Sequence, residues 1–187
     1  EVHRSIQRGL PDQHEHIVAF KVSFMDRKVF GCIVLEHCKG GDLLSKLNIA
    51  SKKDQIIAET QCLDWFSQIT SAVECMHAEG ILHRDLKPGN LLLSAEGHMK
   101  IGDFGLSKIV KGKMQQDRYV MTGRTGTLRY MAPEVMEQSD GYDFKADIWS
   151  LGVTAIELAQ GDAPNSELPA MRVLLVILNS APPTLSK

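Results

Sequence analysis

The hydrophobic pattern of the chain changes from strand-like to helical near residue 42. Residues 17–25 alternate between apolar and polar positions, and residues 29–35 form a second apolar run after a polar turn at residues 26–28. Alternation with a period of two is typical of β-strands, so these two runs predict a hairpin. After Asp42 the apolar residues recur mainly at helical spacing. The pattern therefore predicts a strand-rich beginning followed by a mainly helical body.

Three helices of the body follow from their apolar faces. Residues 63–79 place apolar side chains along one wide stripe, and Gly80 follows as a C-terminal stop signal. Residues 145–160 are apolar on several sides, which predicts a buried helix. Residues 168–179 form a last amphipathic helix. A further helix is predicted directly after Asp42, whose carboxylate is suited to cap its first turn.

The remaining pattern is shorter or less regular. Residues 1–10 have apolar positions at helical spacing, which predicts a short amphipathic helix. Two apolar triplets at residues 91–93 and 99–101 flank a polar turn and predict a second small hairpin. Residues 106–131 lack a periodic pattern, and a loop of that length is usually functional or disordered.

Composition adds exclusions to this picture. The chain has 187 residues, of which 43% are hydrophobic and 24% are charged, so it is large enough for one domain with a real core. The formal charge of −2 predicts no nucleic-acid partner, and no apolar run is long enough to predict a membrane span. The cysteines lack C-x-x-C spacing and no signal sequence is visible, so we expect reduced thiols and a cytoplasmic location. These cysteines are Cys32, Cys38, Cys62 and Cys75.

One segment, residues 83–90 with the sequence HRDLKPGN, concentrates the polar chemistry of the chain. Its carboxylate (Asp85), ammonium (Lys87) and amide (Asn90) lie within six positions, and a proline and a glycine hold the backbone between them in a loop. Such groups can accept a hydroxyl proton, contact a phosphate and hold a metal ion, which are the requirements of phosphoryl transfer. The alternative is a polar surface loop between a helix and a strand.

Four motifs in order connect this segment to a family. HRDLKPGN is followed by DFG at residues 103–105, APE at residues 132–134 and DIWSLG at residues 147–152. In sequence and spacing these motifs resemble a eukaryotic protein kinase catalytic domain of the serine/threonine type. The second half of the chain looks most like the STE group, Fray-like branch, although residues 127–131 depart from the pattern of that branch.

The resemblance implies an α+β fold of the bilobal protein-kinase type in truncated form. Residues 1–35 would be the end of the N-lobe, residues 36–42 the hinge, and residues 43–187 the C-lobe without its last helices. No G-x-G-x-x-G motif occurs, and no V-A-I-K lysine precedes residue 17. The phosphate lid and its lysine are therefore expected to lie outside this chain.

The resemblance also assigns the catalytic roles. Asp85 would accept the proton of the substrate hydroxyl, and Lys87 would neutralise charge on the γ-phosphate in transfer. Asn90 and Asp103 would be the ligands of Mg²⁺. Thr127 would close the substrate side of the site. The alternative for Asp85 alone is a loop-capping aspartate.

A second group of residues matches the nucleotide site of the family. Leu35 corresponds to the gatekeeper, and Glu36 and Cys38 to the hinge that binds the adenine edge through main-chain groups. Asp42 resembles the ribose contact, and Leu92 falls where the family has an apolar residue under the adenine ring. Each of these residues could instead belong to an ordinary core or helix cap.

A third group has regulatory or supporting roles. Arg84 and Lys108 are candidate partners of a phosphate, and phosphorylation of Thr122 or Thr125 by an upstream kinase would order the 106–131 loop through Arg84. The resemblance also implies two supporting residues. Asp147 would hold the backbone of His83, and Glu134 belongs to the APE motif.

Two hypotheses about function remain open from the sequence. In the first, the chain is part of an active serine/threonine kinase in a signalling or stress-response cascade, using ATP, Mg²⁺ and protein substrates. In the second, it is a truncated or pseudokinase module that only binds partners. Intact Asp85, Lys87, Asn90 and Asp103 favour the first, and the missing nucleotide lysine favours the second.

Overall fold

The computed structural model describes residues 14–27, 30–109, 127–137 and 143–185. The helix predicted over residues 1–10 lies outside the described residues. The predicted α+β class is confirmed. The described strands are β1 (Phe20–Asp26), β2 (Phe30–Leu35), β3 (Gly41–Asp42), β4 (Ile81–Leu82), β5 (Leu91–Leu93), β6 (Met99–Ile101) and β7 (Lys108–Ile109). The described helices are α1 (Leu43–Lys52), α2 (Glu59–Ala78), α3 (Pro133–Met136), α4 (Lys145–Gln160) and α5 (Ala170–Asn179), with 3₁₀ turns at Pro88–Asn90, Phe104–Leu106 and Thr127–Tyr130.

The predicted first hairpin is present as the antiparallel pair β1 and β2. Its first strand starts at Phe20, later than the alternating pattern suggested. Ile17 and Val18 leave the hairpin and run beside β6 instead, where the Val18 N–H donates to the carbonyl of Ile101 at 2.9 Å. The backbone groups of Ile17 and Val18, which the alternation assigned to the hairpin, are therefore hydrogen-bonded at the edge of β6 instead.

The second predicted hairpin, β5 and β6, is also present, and it carries a third strand that the sequence did not predict. That strand is the two-residue β3, which pairs with β5. Gly40 precedes it, and a Cβ atom at this position would lie 2.6 Å from the Cβ of Leu93. Only glycine allows such a close approach of the two backbones, so Gly40 seats the segment before α1 on the sheet.

The helices agree with the predicted pattern except at the starts of α2 and α5, and α5 begins at Ala170 instead of residue 168. The Asp42 carboxylate caps α1 by accepting from the Ser45 N–H at 2.8 Å. Helix α4 has the predicted bounds, and α2 ends before Gly80, which has a φ of +71°. Helix α2 starts four residues before the predicted Leu63, because its exposed first turn has polar residues that form a helix without an apolar signal.

The main core lies between α2, α1, the β5–β6 hairpin and α4. Its fully buried members include Leu43, Ile69, Met76, Leu91 and Ile101. Burying each such side chain stabilises the fold by about 1.5–3 kcal/mol. A second cluster joins α3 and α5 to the turn at residues 127–130. The described helices include none that is long and apolar enough to cross a bilayer.

The predicted loop over residues 106–131 is ordered at both ends. Its first residues form β7, which pairs with β4 directly before the HRDLKPGN segment. Its last residues form the 3₁₀ turn Thr127–Tyr130. Both pieces are too short to show a period, which is why the sequence predicted only a loop. Residues 110–126 lie outside the described residues.

Candidate active site

The loop at residues 83–90 is held from below by a carboxylate of the buried helix α4. Asp147 is fully buried, and its two oxygens accept from the main-chain N–H groups of His83 and Arg84, each at 2.9 Å. The same carboxylate contacts the Nε2 atom of His77 at 2.9 Å. Arg84 has a φ of +71°, a backbone conformation that costs energy in a non-glycine residue. The brace from Asp147 offsets that cost and turns the chain sharply before Asp85.

His83 is a packing residue in this loop. Its ring is fully buried, its Nε2 atom lies 3.0 Å from the carbonyl oxygen of Gly102, and it contacts the ring of Phe104. Burial lowers the pKa of His83, and this outweighs the opposite influence of Asp147. An imidazole in this position cannot reach a substrate, so His83 supports the loop rather than exchanging protons.

Asp85 is the centre of a compact polar cluster. Its carboxylate accepts from the Lys87 ammonium at 2.7 and 2.8 Å, and from the Asn90 amide nitrogen at 2.9 Å. The Asn90 nitrogen also donates to the main-chain carbonyl of Asp85 at 2.7 Å. Lys87 in turn donates to the Thr127 hydroxyl at 3.0 Å. The structure thus brings together four residues that the sequence singled out, although Thr127 is 40 positions from Lys87.

The residues predicted to hold Mg²⁺ have suitable donor atoms. Because the Asn90 nitrogen bonds to Asp85, its amide oxygen points away from that residue. Asp103 is exposed, has a φ of +55°, and accepts from the Gly105 N–H at 3.2 Å. The Gly102 N–H donates to the Asn90 carbonyl at 2.9 Å, which holds the two segments side by side. One amide oxygen and one carboxylate suit Mg²⁺, which completes its shell with phosphates and water.

Within the part of the chain that the structure describes, no group of three or more His, Cys, Asp and Glu residues could hold a metal ion. Asn90 and Asp103 together offer two side chains to an ion, and substrate phosphates are usual further ligands of Mg²⁺ in proteins. Phe104, next to Asp103, is buried in the main core and anchors this corner.

The predicted hinge is organised by the side chain of Glu36 as well as its main chain. The Glu36 N–H donates to the Ala19 carbonyl at 2.7 Å, and the Glu36 carboxylate accepts from the Ala19 N–H at 3.1 Å. The carboxylate also pairs with the Lys100 ammonium at 3.0 Å. Burial raises the pKa of Glu36, but the bonds from Ala19 and Lys100 outweigh it, and the net pKa is lowered.

The binding of an adenine edge by main-chain groups of Glu36 stays a prediction. The Glu36 N–H is occupied by Ala19, so its carbonyl is the main-chain group left for an adenine edge. Lys100 was missed by the sequence analysis. It is the outward-facing middle residue of β6, and only the sheet geometry shows that it reaches Glu36.

Four other predicted nucleotide residues lie in the predicted hinge or next to it. Asp42 and Leu92 are cross-strand partners in the β3–β5 pair. The Asp42 carboxylate forms the helix cap that the sequence analysis kept as its alternative role. Leu35 is 38% exposed at the end of β2. Cys38 is half-buried, and burial raises the pKa of its thiol.

The predicted regulatory residues are only partly described. Arg84 is half-buried, and Lys108 in β7 pairs with Leu82, two residues before Arg84. The two cations are therefore on neighbouring segments. Thr122 and Thr125 lie outside the described residues. Glu134 is half-buried in the first turn of α3.

A cavity of about 490 Å³ opens beside Lys87 and Thr127. Its other lining includes three residues that the sequence analysis missed, Arg129, Tyr130 and Glu157. The Tyr130 hydroxyl donates to the Glu157 carboxylate at 2.6 Å. Burial raises the pKa of both groups. No local pattern marks these residues, since 27 positions separate the two partners.

Comparison with known proteins agrees with this geometry. A family model described as the protein kinase domain matches residues 3–179. Germinal center kinase 3 of Caenorhabditis elegans is 38% identical over 99% of this chain and 32% of its own length. Serine/threonine-protein kinase ppk11 of Schizosaccharomyces pombe is 39% identical over 92% of the chain and 52% of its own length.

Human serine/threonine-protein kinase 10 is 42% identical over 82% of the chain, which corresponds to 16% of its own length. The chain therefore spans about half or less of the length of these relatives. The matched family model covers the HRDLKPGN, DFG, APE and DIWSLG motifs together with the elements that position them. The resemblance predicted from these motifs is confirmed, and the chain belongs to the protein kinase family.

Proposed function

We propose that this chain is the catalytic part of a serine/threonine protein kinase, which transfers the γ-phosphate of ATP to serine or threonine hydroxyls of protein substrates. The observation that carries the proposal is the cluster in which Lys87 and Asn90 hold the Asp85 carboxylate while Lys87 reaches Thr127. Relatives from three organisms support the assignment to protein kinases. Two of these relatives are named serine/threonine-protein kinases, and the third is named a germinal center kinase.

In the proposed reaction, the substrate hydroxyl oxygen bonds to the γ-phosphorus, and the bond from that phosphorus to the β–γ bridging oxygen breaks to release ADP. Asp85 accepts the hydroxyl proton, and its carboxylate is oriented for this by Asn90. Lys87 lies against Asp85 and Thr127, where its charge opposes the negative charge of the phosphoryl group in transfer. Mg²⁺ held by Asn90 and Asp103 would supply neutralisation of the nucleotide phosphates.

The acceptor side supports serine or threonine as the substrate. Lys87 donates to the Thr127 hydroxyl beside Asp85, so a short side chain borders the space in which a substrate hydroxyl would meet the carboxylate. We place this activity in a signalling or stress-response cascade. Four free cysteines support a cytoplasmic location.

Activation by an upstream kinase is part of the proposal. Arg84 and Lys108 are on adjacent segments beside the catalytic loop, and two cations at this place suit a phosphorylated threonine. Replacing both Thr122 and Thr125 by alanine should lower the activity of protein isolated from cells. Unchanged activity would contradict this mode of activation.

The main test is ATP-dependent phosphate transfer by the full-length protein to a generic serine/threonine substrate. Asp85→Asn is expected to lower the rate by about a hundredfold to ten-thousandfold, since it removes the proton acceptor. Asp64→Asn is the matched control, because Asp64 is exposed on α2 and, among the described residues, accepts a side-chain hydrogen bond from Gln68 alone. No phosphate transfer by wild type would instead favour the binding or scaffold module, and equal non-zero rates for wild type and Asp85→Asn would contradict the role of Asp85 as proton acceptor.

A further inference from the structure

Arg129 connects two segments of the chain that meet at the cavity. It lies in the 3₁₀ turn Thr127–Tyr130, and its guanidinium donates to three main-chain carbonyls of the segment between α4 and α5. The Nε atom lies 3.4 Å from the Asn165 carbonyl, and one terminal nitrogen lies 3.0 and 3.3 Å from the carbonyls of Ser166 and Leu168. Among the described residues, no carboxylate forms an ion pair with it.

The turn that carries Arg129 is also fixed on its other sides. Thr127 accepts from Lys87, and the Tyr130 hydroxyl donates to Glu157 of α4. The Tyr130 carbonyl accepts from the Ser150 hydroxyl at 2.7 Å. The turn is therefore a rigid support, and Arg129 projects from it toward the 161–169 segment.

The 161–169 segment has little regular structure of its own. Asn165 has a φ of +60°, and the segment bonds to itself through the turns Ser166 to Ala163 and Leu168 to Asn165. Its residues Asp162, Ala163 and Ser166 line the same cavity as Lys87. Three carbonyls held by one guanidinium are thus a principal constraint on this wall of the cavity.

We propose that Arg129 is a positioning residue for the protein substrate. It holds the 161–169 segment as the outer wall of the groove that receives the residues flanking the acceptor hydroxyl. This inference rests on the proposed function and deepens it, because it names a residue outside the catalytic cluster that positions a wall of the substrate site. Arg129 belongs to residues 127–131, the part of the chain that departs from the branch it otherwise resembles.

The consequence is a separation of kinetic effects. Asp85, Lys87 and Asn90 are held by one another and by the Asp147 brace, none of which involves Arg129. Loss of Arg129 should therefore weaken substrate binding while the reacting groups stay in place. The KM for the protein substrate is expected to rise about tenfold, which corresponds to about 1.4 kcal/mol, with kcat and the KM for ATP little changed.

The experiment compares Arg129→Met and Arg129→Lys in the full-length protein. Methionine keeps the apolar stem and removes all three bonds, whereas lysine keeps the charge but lacks the planar fork, so its KM should be intermediate. Arg172→Met on α5 is the matched control, because Arg172 is exposed. Arg172→Met should leave each kinetic constant unchanged.

A second measurement does not depend on turnover. Amide hydrogen exchange should become faster at residues 163–168 in Arg129→Met and remain unchanged at residues 83–90. Unchanged exchange and unchanged KM would overturn the proposal. A fall in kcat with a parallel rise in the KM for ATP would also overturn it, since that pattern means that the catalytic cluster itself collapsed.

The two proposals can fail separately. If wild type and Arg172→Met transfer no phosphate, the proposed function fails. The Arg129 proposal is then decided by the Kd of a serine-containing peptide, measured by fluorescence anisotropy. Equal affinity of wild type and Arg129→Met for that peptide would overturn it.

Discussion

The catalytic loop and the β1–β2 hairpin use buried and exposed groups in opposite ways. In the loop, buried polar groups are held by hydrogen bonds, with Asp147 accepting from two main-chain N–H groups and contacting a histidine. In the hairpin, large apolar side chains are exposed on both faces, including Phe24 at 52% on one face and Met25 at 61% on the other. The loop therefore buries polar groups together with their partners, whereas the hairpin leaves apolar side chains in contact with solvent.

The contrast between loop and hairpin indicates which elements position the Asp85 cluster. The cluster at Asp85 depends on α4 and the main core, both of which are formed by residues after the hinge. The hairpin is joined to the site at its inner end, where Glu36 bonds to Ala19 and Lys100. The proton acceptor should therefore tolerate changes in the hairpin, whereas the hinge should not.

The largest loss of stability is expected when the Asp147 carboxylate, which braces the loop, is removed. Asp147→Ala would leave two buried main-chain N–H groups without their acceptor and is expected to lower the free energy of unfolding by about 3–5 kcal/mol. Urea denaturation of the variant measures this loss. The exposed Asp64→Ala should cost less than about 0.5 kcal/mol, and an equal loss in both variants would show that the brace is not a major support.

A matched pair of apolar truncations compares how much the main core and the hairpin contribute to the free energy of unfolding. Ile69→Ala removes a fully buried side chain from the main core and should cost about 2–5 kcal/mol of unfolding free energy. Phe24→Ala removes a larger side chain from the hairpin, yet it should cost less than about 1 kcal/mol because that ring is half exposed. Denaturation midpoints of the two variants decide the matter, and a larger loss for Phe24→Ala would mean that the hairpin is covered in solution.

The smallest expected effect is a pH dependence of the buried acid in the body. Burial raises the pKa of Glu157 above its ordinary value of 4.5, even though the bond from Tyr130 acts in the opposite direction. The stability that its protonated form contributes is fully present below pH 4.5 and is lost as the pH rises through the folded-state pKa.

Glutamine at position 157 does not titrate. The free energy of unfolding of wild type, taken relative to Glu157→Gln, should therefore decrease as the pH is raised from 4.5 toward neutrality. Ser166→Ala, a non-titrating change in the same cavity, should differ from wild type by a constant amount over that range. If the free energy of unfolding of wild type relative to Glu157→Gln increased with pH, the raised pKa of Glu157 would be contradicted.

Much of the fold could be predicted because its signals are local. Helix α4 has its predicted bounds, since sixteen residues of helical spacing precede a glycine that takes a φ of +87°. The β5–β6 hairpin and the cap of α1 also follow from neighbouring residues. The candidate catalytic residues were visible for the same reason, because HRDLKPGN and DFG are contiguous motifs.

The contacts that complete the site could not be predicted in this way. Glu36 meets Lys100 across 64 positions, and Arg129 reaches Leu168 across 39 positions. Neither contact has a sequence spacing that could be predicted, since charged side chains of this kind are common on protein surfaces and any main-chain carbonyl can accept a hydrogen bond. The short strands β3 and β7 exist only because partner strands pass beside them.

By itself, the sequence determined the family, the main helices and hairpins, and the identity of the polar groups at residues 83–90 and 103–105. Those features depend on periodicity, caps and contiguous motifs, which are properties of neighbouring residues. The resemblance already implied that Asp147 holds the backbone of His83, and the structure shows that it also accepts from the Arg84 N–H. The tertiary structure alone decided that Glu36 pairs with Lys100 and that Arg129 holds the cavity wall. Such contacts form only when the buried core brings distant segments together, because hydrophobic packing sets their distance and direction.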